Sequence, residues 1–213
     1  MPRKKRRPIR AATRTPQQER SRRTRQEVLD AAVACFEARG YDETTTAAIA
    51  KRAGIAVGTL YGYFPDKRAI LLELWDVTAK QIGDYVVQSL EPKLWRDTDP
   101  RASVRQLIDA LFHTRTFNPG MQRILWERYF KDPEFRKAVQ AVERRVRAAM
   151  VVLFDVLEAD SRLRIDDSRT AAFVIHAAVE WTTSRLMLGT TAVRRDPAVE
   201  AVSDMVSRFL FRD

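Results

Sequence analysis

Cysteine and histidine are scarce in this chain of 213 residues, with one of the first, Cys35, and two of the second, His113 and His176. A single thiol excludes an internal disulfide, and the chain has no CxxC or HExxH spacing and no glycine-rich phosphate loop. Metal-assisted hydrolysis, thiol catalysis and nucleotide chemistry lack the residues they need, so the expectation is no enzyme, no metal and no cofactor. Paired acids such as Asp166-Asp167 fall at an expected helix start, where capping explains them. No apolar run approaches the roughly eighteen residues of a membrane span, and the first residues lack the apolar stretch of a secretory signal. A cytoplasmic protein with no membrane partner is the reading. Alternating β-branched runs and internal repeats are missing too; 45% hydrophobic residues with 7 glycines fits an all-α fold.

Positive charge is abundant and unevenly placed. The first 25 residues hold eleven lysines and arginines against one acid, Glu19, which accounts for the whole formal charge of +10. Residues 1–20 read as a basic, flexible arm. Such an arm can neutralise phosphates and steepen the salt dependence of DNA binding, or set arginines in a minor groove. Arg20, Arg22, Arg23 and Arg25 are the candidates nearest the following domain. The other reading is a solubilising tail without ordered contacts. Thr15-Pro16-Gln17-Gln18 resembles a capping box with proline at the first helical position, which predicts a first helix from about Pro16 to Arg39. Cys35 shares the inward face of that helix with Val28, Ala32 and Phe36, which makes it a core residue before it is a redox sensor.

Thr44 to Lys67 reads TTTAAIAKRAGIAVGTLYGYFPDK, two short helices around a tight turn. Thr45 or Thr46 caps the first, which runs to about Ala53, because a threonine hydroxyl accepts a hydrogen bond from an unpaired first-turn amide. Gly54 supplies the left-handed residue that ends it. A second helix is expected from about Val57 to Tyr63, before Pro65-Asp66 opens a third. Ile49, Ala53, Ile55 and Leu60 are spaced to fill a shared core, with Ala50 small at the crossing. Val57, Gly58, Thr59, Tyr61 and Tyr63 then face outward. Hydroxyls suit phosphates, a methyl suits thymine and a glycine allows close backbone approach, so the helix-turn-helix from Thr45 to Phe64 is a candidate for the DNA major groove. Any small helical core can show helix, glycine, helix; the basic region before it and the long amphipathic helix after it favour DNA.

Arg22, Ala32, Phe36, Gly40-Tyr41, Thr44 to Thr46, Ile49-Ala50, Ala53-Gly54-Ile55, Gly58 to Tyr61, Tyr63-Phe64, Lys67 and Leu71-Leu72 together resemble the tetracycline-repressor (TetR) family of bacterial regulators. The resemblance implies a three-helix DNA-binding domain, here residues 21–67, and a larger helical domain, residues 68–213, that dimerises and usually binds a small-molecule effector. It further implies a homodimeric repressor on a palindromic double-stranded operator, released when effector binds. Carried over by position, Thr46, Ala56, Val57, Gly58, Thr59, Tyr61, Tyr63 and Lys67 are its phosphate and base contacts. Ala56 stands where the family often has a capping hydroxyl, and Tyr63 where histidine is common. The basic arm leaves one alternative, a ligand-independent architectural DNA protein.

Beyond the DNA-binding segment the helical spacing continues: Asp66 to about Leu90, Pro100 to near Phe117, Pro119 to Lys131, a long helix from Pro133, Ser168 to Leu188, and about Asp196 to Phe211. That makes about nine helices. Residues 168–188 are apolar on nearly every face and must be buried on more than one side. With the last helix, and their copies from a second chain, they would form a four-helix dimer interface, as the resemblance also implies. Phe112, Phe117, Met121, Trp126, Tyr129, Phe173, His176 and Trp181, with Phe130 and Phe154, either line a cavity for an apolar or aromatic effector or pack the bundle. His176, Glu180 and Arg185 are the polar residues of the eighth helix, and His176 is the first candidate to orient a ligand. Effector would act by a population shift through the fourth helix.

Overall fold

Helix boundaries follow the capping residues. The computed structural model describes residues 16–113, 119–160 and 162–212, which form nine helices and no strand. These are α1 (Pro16–Arg39), α2 (Thr46–Arg52), α3 (Val57–Tyr61), α4 (Lys67–Ser89), α5 (Pro100–His113), α6 (Pro119–Lys131), α7 (Pro133–Ala159), α8 (Ser168–Met187) and α9 (Arg195–Leu210). Thr45, Asp66, Asp132 and Asp167 each accept first-turn amides of the helix they precede, which satisfies donors that have no partner inside the helix. A single bridge joins Leu163 to Phe211. Residues 1–15, most of the expected arm, and Phe117 lie outside the described residues.

Two segments differ from expectation. Helix α3 stops at Tyr61, two residues early, because the amides of Gly62, Tyr63 and Phe64 turn back onto Gly58, Thr59 and Leu60. The expected break after α4 contains a 3-10 turn, Pro92–Leu94, followed by buried Trp95, whose indole donates to the Ser89 carbonyl at 2.9 Å.

Two hydrophobic clusters organise the molecule. The first is centred on Phe36, Ile49, Leu60, Phe64 and Ile70, and also draws in Met121, Ile124 and Leu125 from α6 and Phe135 and Val139 from α7. The second gathers α4, α5, α7, α8 and α9 around Val86, Ile108, Leu153, Ala172 and Val202. Helix α6 therefore has one face on α1 and another on the bundle. Arg68, in the first turn of α4, clasps Asp132 through two hydrogen bonds of 2.6 Å each and reaches Glu134 at 2.7 Å, fastening α4 to the start of α7. Asp132 is held down to about 2, first by the Arg68 hydrogen bonds and then by the α7 amides it caps.

Candidate nucleic-acid interface and internal cavity

The turn between α2 and α3 is fixed by backbone geometry. Gly54 has φ of 69°, the left-handed region that glycine enters without a Cβ penalty. Its amide donates to Lys51 and that of Ile55 to Ala50, at 3.3 and 3.1 Å, the paired bonds of a Schellman ending. Ile49, Ala50 and Leu60 lock the two helices together with no exposed surface. Ala56 precedes α3 without a side-chain cap.

The opposite face of α3 is open. Ala56, Val57, Gly58, Thr59 and Tyr61 are exposed, Tyr61 by 52%. The Tyr61 hydroxyl lies 3.0 Å from that of Thr46, which ties the start of α2 to the end of α3. Hydroxyls, a methyl and a glycine thus occupy one short exposed surface, suited to phosphate and base-edge contact. Tyr63 differs, because it falls beyond α3 and is half-buried against the first cluster. Lys67 differs more. Its ammonium donates to the carbonyls of Tyr41, Asp42 and Thr44 at 2.8, 2.8 and 3.0 Å and lies 4.7 Å from the Tyr41 ring centre. All three donors are engaged, so Lys67 clamps the α1–α2 loop to α4. Of the four arginines singled out near the arm, Arg20, Arg22 and Arg23 are exposed on α1, whereas Arg25 is bound to Glu73 and sits 4.5 Å over the Phe64 ring.

Behind the first cluster lies a cavity of about 320 Å³, within the range of small-molecule sites. Its walls come from α4 to α9 and are mostly aliphatic and aromatic. Trp126, Tyr129 and His176 of the sequence candidates line it, as does Phe154. Phe112 and Met121 are buried in the two clusters without reaching it. Phe173 and Trp181 point away, 59% and 55% exposed. Trp181 meets the outer side of the wall, edge-on to Trp126 with ring centres 5.6 Å apart, and Phe130 is exposed beside it. Helical periodicity put these rings on neighbouring turns, but which side of the wall each occupies depends on packing.

Polar groups in the cavity are few. Glu143 pairs with Arg147 at 3.4 Å, Gln122 donates to Ser184 at 3.3 Å, and His176 Nδ1 lies 3.7 Å from Glu180 Oε2. Burial, followed by the neighbouring Glu143 charge, pushes the Glu180 carboxyl up to about 7. Burial also lowers the His176 imidazole below its ordinary value, only partly opposed by Glu143. Trp75, Glu143 and the aliphatic residues of α4 and α7 were not singled out in the sequence, since nothing in heptad spacing separates a wall from a core. Among the described residues no group of three metal-type ligands occurs, and no helix is long and apolar enough to cross a membrane.

Arg128 joins the two sites. It projects from α6, 12% exposed, sits 4.6 Å over the Tyr41 ring and donates to Asp42 at 3.3 Å, on the loop that Lys67 clamps. Trp126 and Tyr129, its near neighbours on α6, face the cavity.

Family models match two stretches, one described as bacterial regulatory proteins, tetR family, over residues 28–74, the other as tetracyclin repressor-like, C-terminal domain, over residues 99–210. The HTH-type transcriptional regulator AcrR of Shigella flexneri is 29% identical over 135 residues, 63% of this chain and 61% of its own. The HTH-type transcriptional regulator EthR of Mycolicibacterium smegmatis is 30% identical over 149 residues, 66% of each chain. These matches span less than two thirds of either relative. The solved structure of NalD, the secondary repressor of the MexAB-OprM multidrug efflux pump in Pseudomonas aeruginosa, superposes with a TM-score of 0.71 at 22% identity, covering 92% of this chain and 99% of that one. That likeness concerns the fold.

Proposed function

Given that the chain belongs to the TetR family of bacterial regulatory proteins, we propose that it is a cytoplasmic, dimeric repressor that reads a palindromic operator and is released by a small-molecule effector. The single observation that carries this reading is the sharing of α6: one helix packs against the DNA-binding core through Met121 and Ile124 and walls the cavity through Trp126 and Tyr129. Any ligand that moves the inner face of α6 also moves Arg128 against the Tyr41-Asp42 loop. Ligand then shifts the population between two settings of the recognition helices, and linkage makes DNA binding and ligand binding oppose each other. Ligand with equal affinity for both settings would switch nothing. The sequence pointed to α4 as the transmitter; α6 supplies a second route, and the Arg68–Asp132 clasp ties α4 to the junction of α6 and α7.

The dimer surface belongs to α8 and α9. Phe173, Val174, Trp181, Met205 and Phe209 are exposed there, an apolar area that a second copy related by a twofold would cover. Two α3 helices placed by that twofold would meet half-sites about one helical turn, roughly 34 Å, or a multiple apart. Exposed Thr59 and Tyr61, with Thr46, make the groove contacts, and Arg20, Arg22 and Arg23 add phosphate contacts that steepen the salt dependence.

Selection of genomic fragments by the purified full chain at near-physiological salt tests the proposal. A shared palindrome, lost from the pool bound by a Thr59→Ala/Tyr61→Ala variant, is the expected result. Unrelated fragments without a common motif would replace the regulator with an architectural DNA protein driven by the basic start of the chain.

A further inference from the structure

The charges around the cavity are one-sided. Glu143 and Glu180 line it, and among the described residues no lysine or arginine does. Glu143 is already compensated by Arg147 at 3.4 Å. Glu180 lies 3.7 Å from the His176 imidazole, which burial holds below its ordinary value, and faces Glu143 and Arg147 of α7, the latter already paired with Glu143. With 39% of its side chain exposed, the Glu180 carboxylate keeps only part of its solvation, so a cation that enters is attracted more strongly than at an open surface. A carboxylate ligand would meet two acids, with the nearby Arg147 already engaged by Glu143. Trp126 and Tyr129 add ring faces of the kind that hold ammonium and guanidinium groups.

Building on the regulator reading above, we propose that the cavity selects an amphipathic monocation, an apolar body of modest size carrying an ammonium or amidinium head held by Glu180 with Glu143 behind it. The volume of about 320 Å³ admits one such molecule and the apolar walls take its body. The buried indole nitrogens of Trp75 and Trp126 have no acceptor among the described residues, which leaves room for one hydrogen-bond-accepting oxygen on the ligand as well.

Calorimetric titration of the full chain with octyltrimethylammonium, 1-octanol and octanoate tests this, because the three probes share a tail and differ in the head. The cation should bind tightest and octanoate weakest, with about tenfold or more between them. Glu180→Gln should remove about tenfold of the cation's affinity and leave octanol unchanged, the octanol titration confirming that the cavity is intact. Glu143→Gln should act in the same direction and less, since Arg147 shares its charge. Equal affinity for the three heads, absence of binding by any of them, or a Glu180→Gln variant that keeps the cation preference or loses all three probes alike, overturns the proposal. Operator binding by the same preparations without any probe reads the regulator function separately, so specific DNA binding with no head-group preference sinks the ligand class alone.

Discussion

Around Phe36, where α1 to α4 cross with Ala32 and Ala50 between them, side chains such as Ile49, Leu60 and Ile70 reach no solvent at all, while α4 to α9 use the same residue types to enclose about 320 Å³ of space. Both regions are apolar and both are helical. They differ in what the small residues do: in the first region alanines let short helices cross closely, and in the second Ala79 of α4 leaves the wall bare, while Gly83 one turn on makes room for the Val142 side chain of α7. Filling gives a rigid platform for the proposed groove contacts. Hollowness gives a second occupant something to do.

The strongest way to break that comparison is truncation. Phe36→Ala should cost about 3–5 kcal/mol in urea unfolding, because the filled core cannot collapse around the loss. Met150→Ala, beside space that already exists, should cost toward the low end for its type, about 2 kcal/mol. Equal losses would mean that the hollow region is as tightly supported as the filled one.

Insertion sharpens it in the opposite sense. Ala50→Leu should destabilise by about 1–3 kcal/mol through overpacking at the α2–α3 crossing. Ala79→Leu projects into the cavity and should lie within about 1 kcal/mol of wild type in thermal unfolding while abolishing octyltrimethylammonium binding. A comparable penalty at Ala79 would show that the space is not available to a ligand.

Much of the first region could be read in advance. The threonine cap of α2, the helix start at Asp66, the Gly54 turn and the core set Ile49, Ala50 and Leu60 rest on local rules, where one side chain and its neighbours decide the outcome. Lys67 escaped those rules: its position matched a phosphate contact, but three carbonyls from a loop more than twenty residues earlier take its donors. The second region was legible as helices and illegible as a cavity. Trp126 and Trp181 sit on adjacent helices with rings in contact, yet one lines the space and the other faces out; the difference depends on how far apart long helices are held, which no periodicity records.

The clasp between the regions offers an intermediate effect. Asp132→Ala removes the α7 cap and the Arg68 pair together, and the cap alone is worth about 1 kcal/mol in unfolding. Asp132→Asn keeps a capping oxygen and should recover most of that loss. Because Asp132 titrates at about 2, below its unfolded value, its contribution is present above the ordinary carboxylate range and lost as pH falls toward 2. Scans of these variants at pH 7 should therefore separate from wild type, and scans near pH 2 should converge with it.

The smallest effect comes from Glu180, and its sign is opposite. Its folded-state value of about 7 lies above that of the unfolded chain, so its contribution to stability is full at acid pH and is lost as pH rises through 7. His176 on the same helix runs the other way, since its lowered value withdraws stability as pH falls. Glu143 and Arg147 on α7 are the other charges facing Glu180. Comparison with Glu180→Gln isolates the carboxyl. The variant should gain on wild type by about a degree or two in Tm between pH 5 and pH 8, small because the group is partly exposed. Ligand binding should show the same ionisation more sharply: octyltrimethylammonium must displace a proton below pH 7, so its affinity should rise between pH 6 and pH 8 in the wild type and stay flat in Glu180→Gln. A cavity whose cation affinity ignores pH in both proteins would be hollow in shape only, its two acids solvated as they would be on the surface.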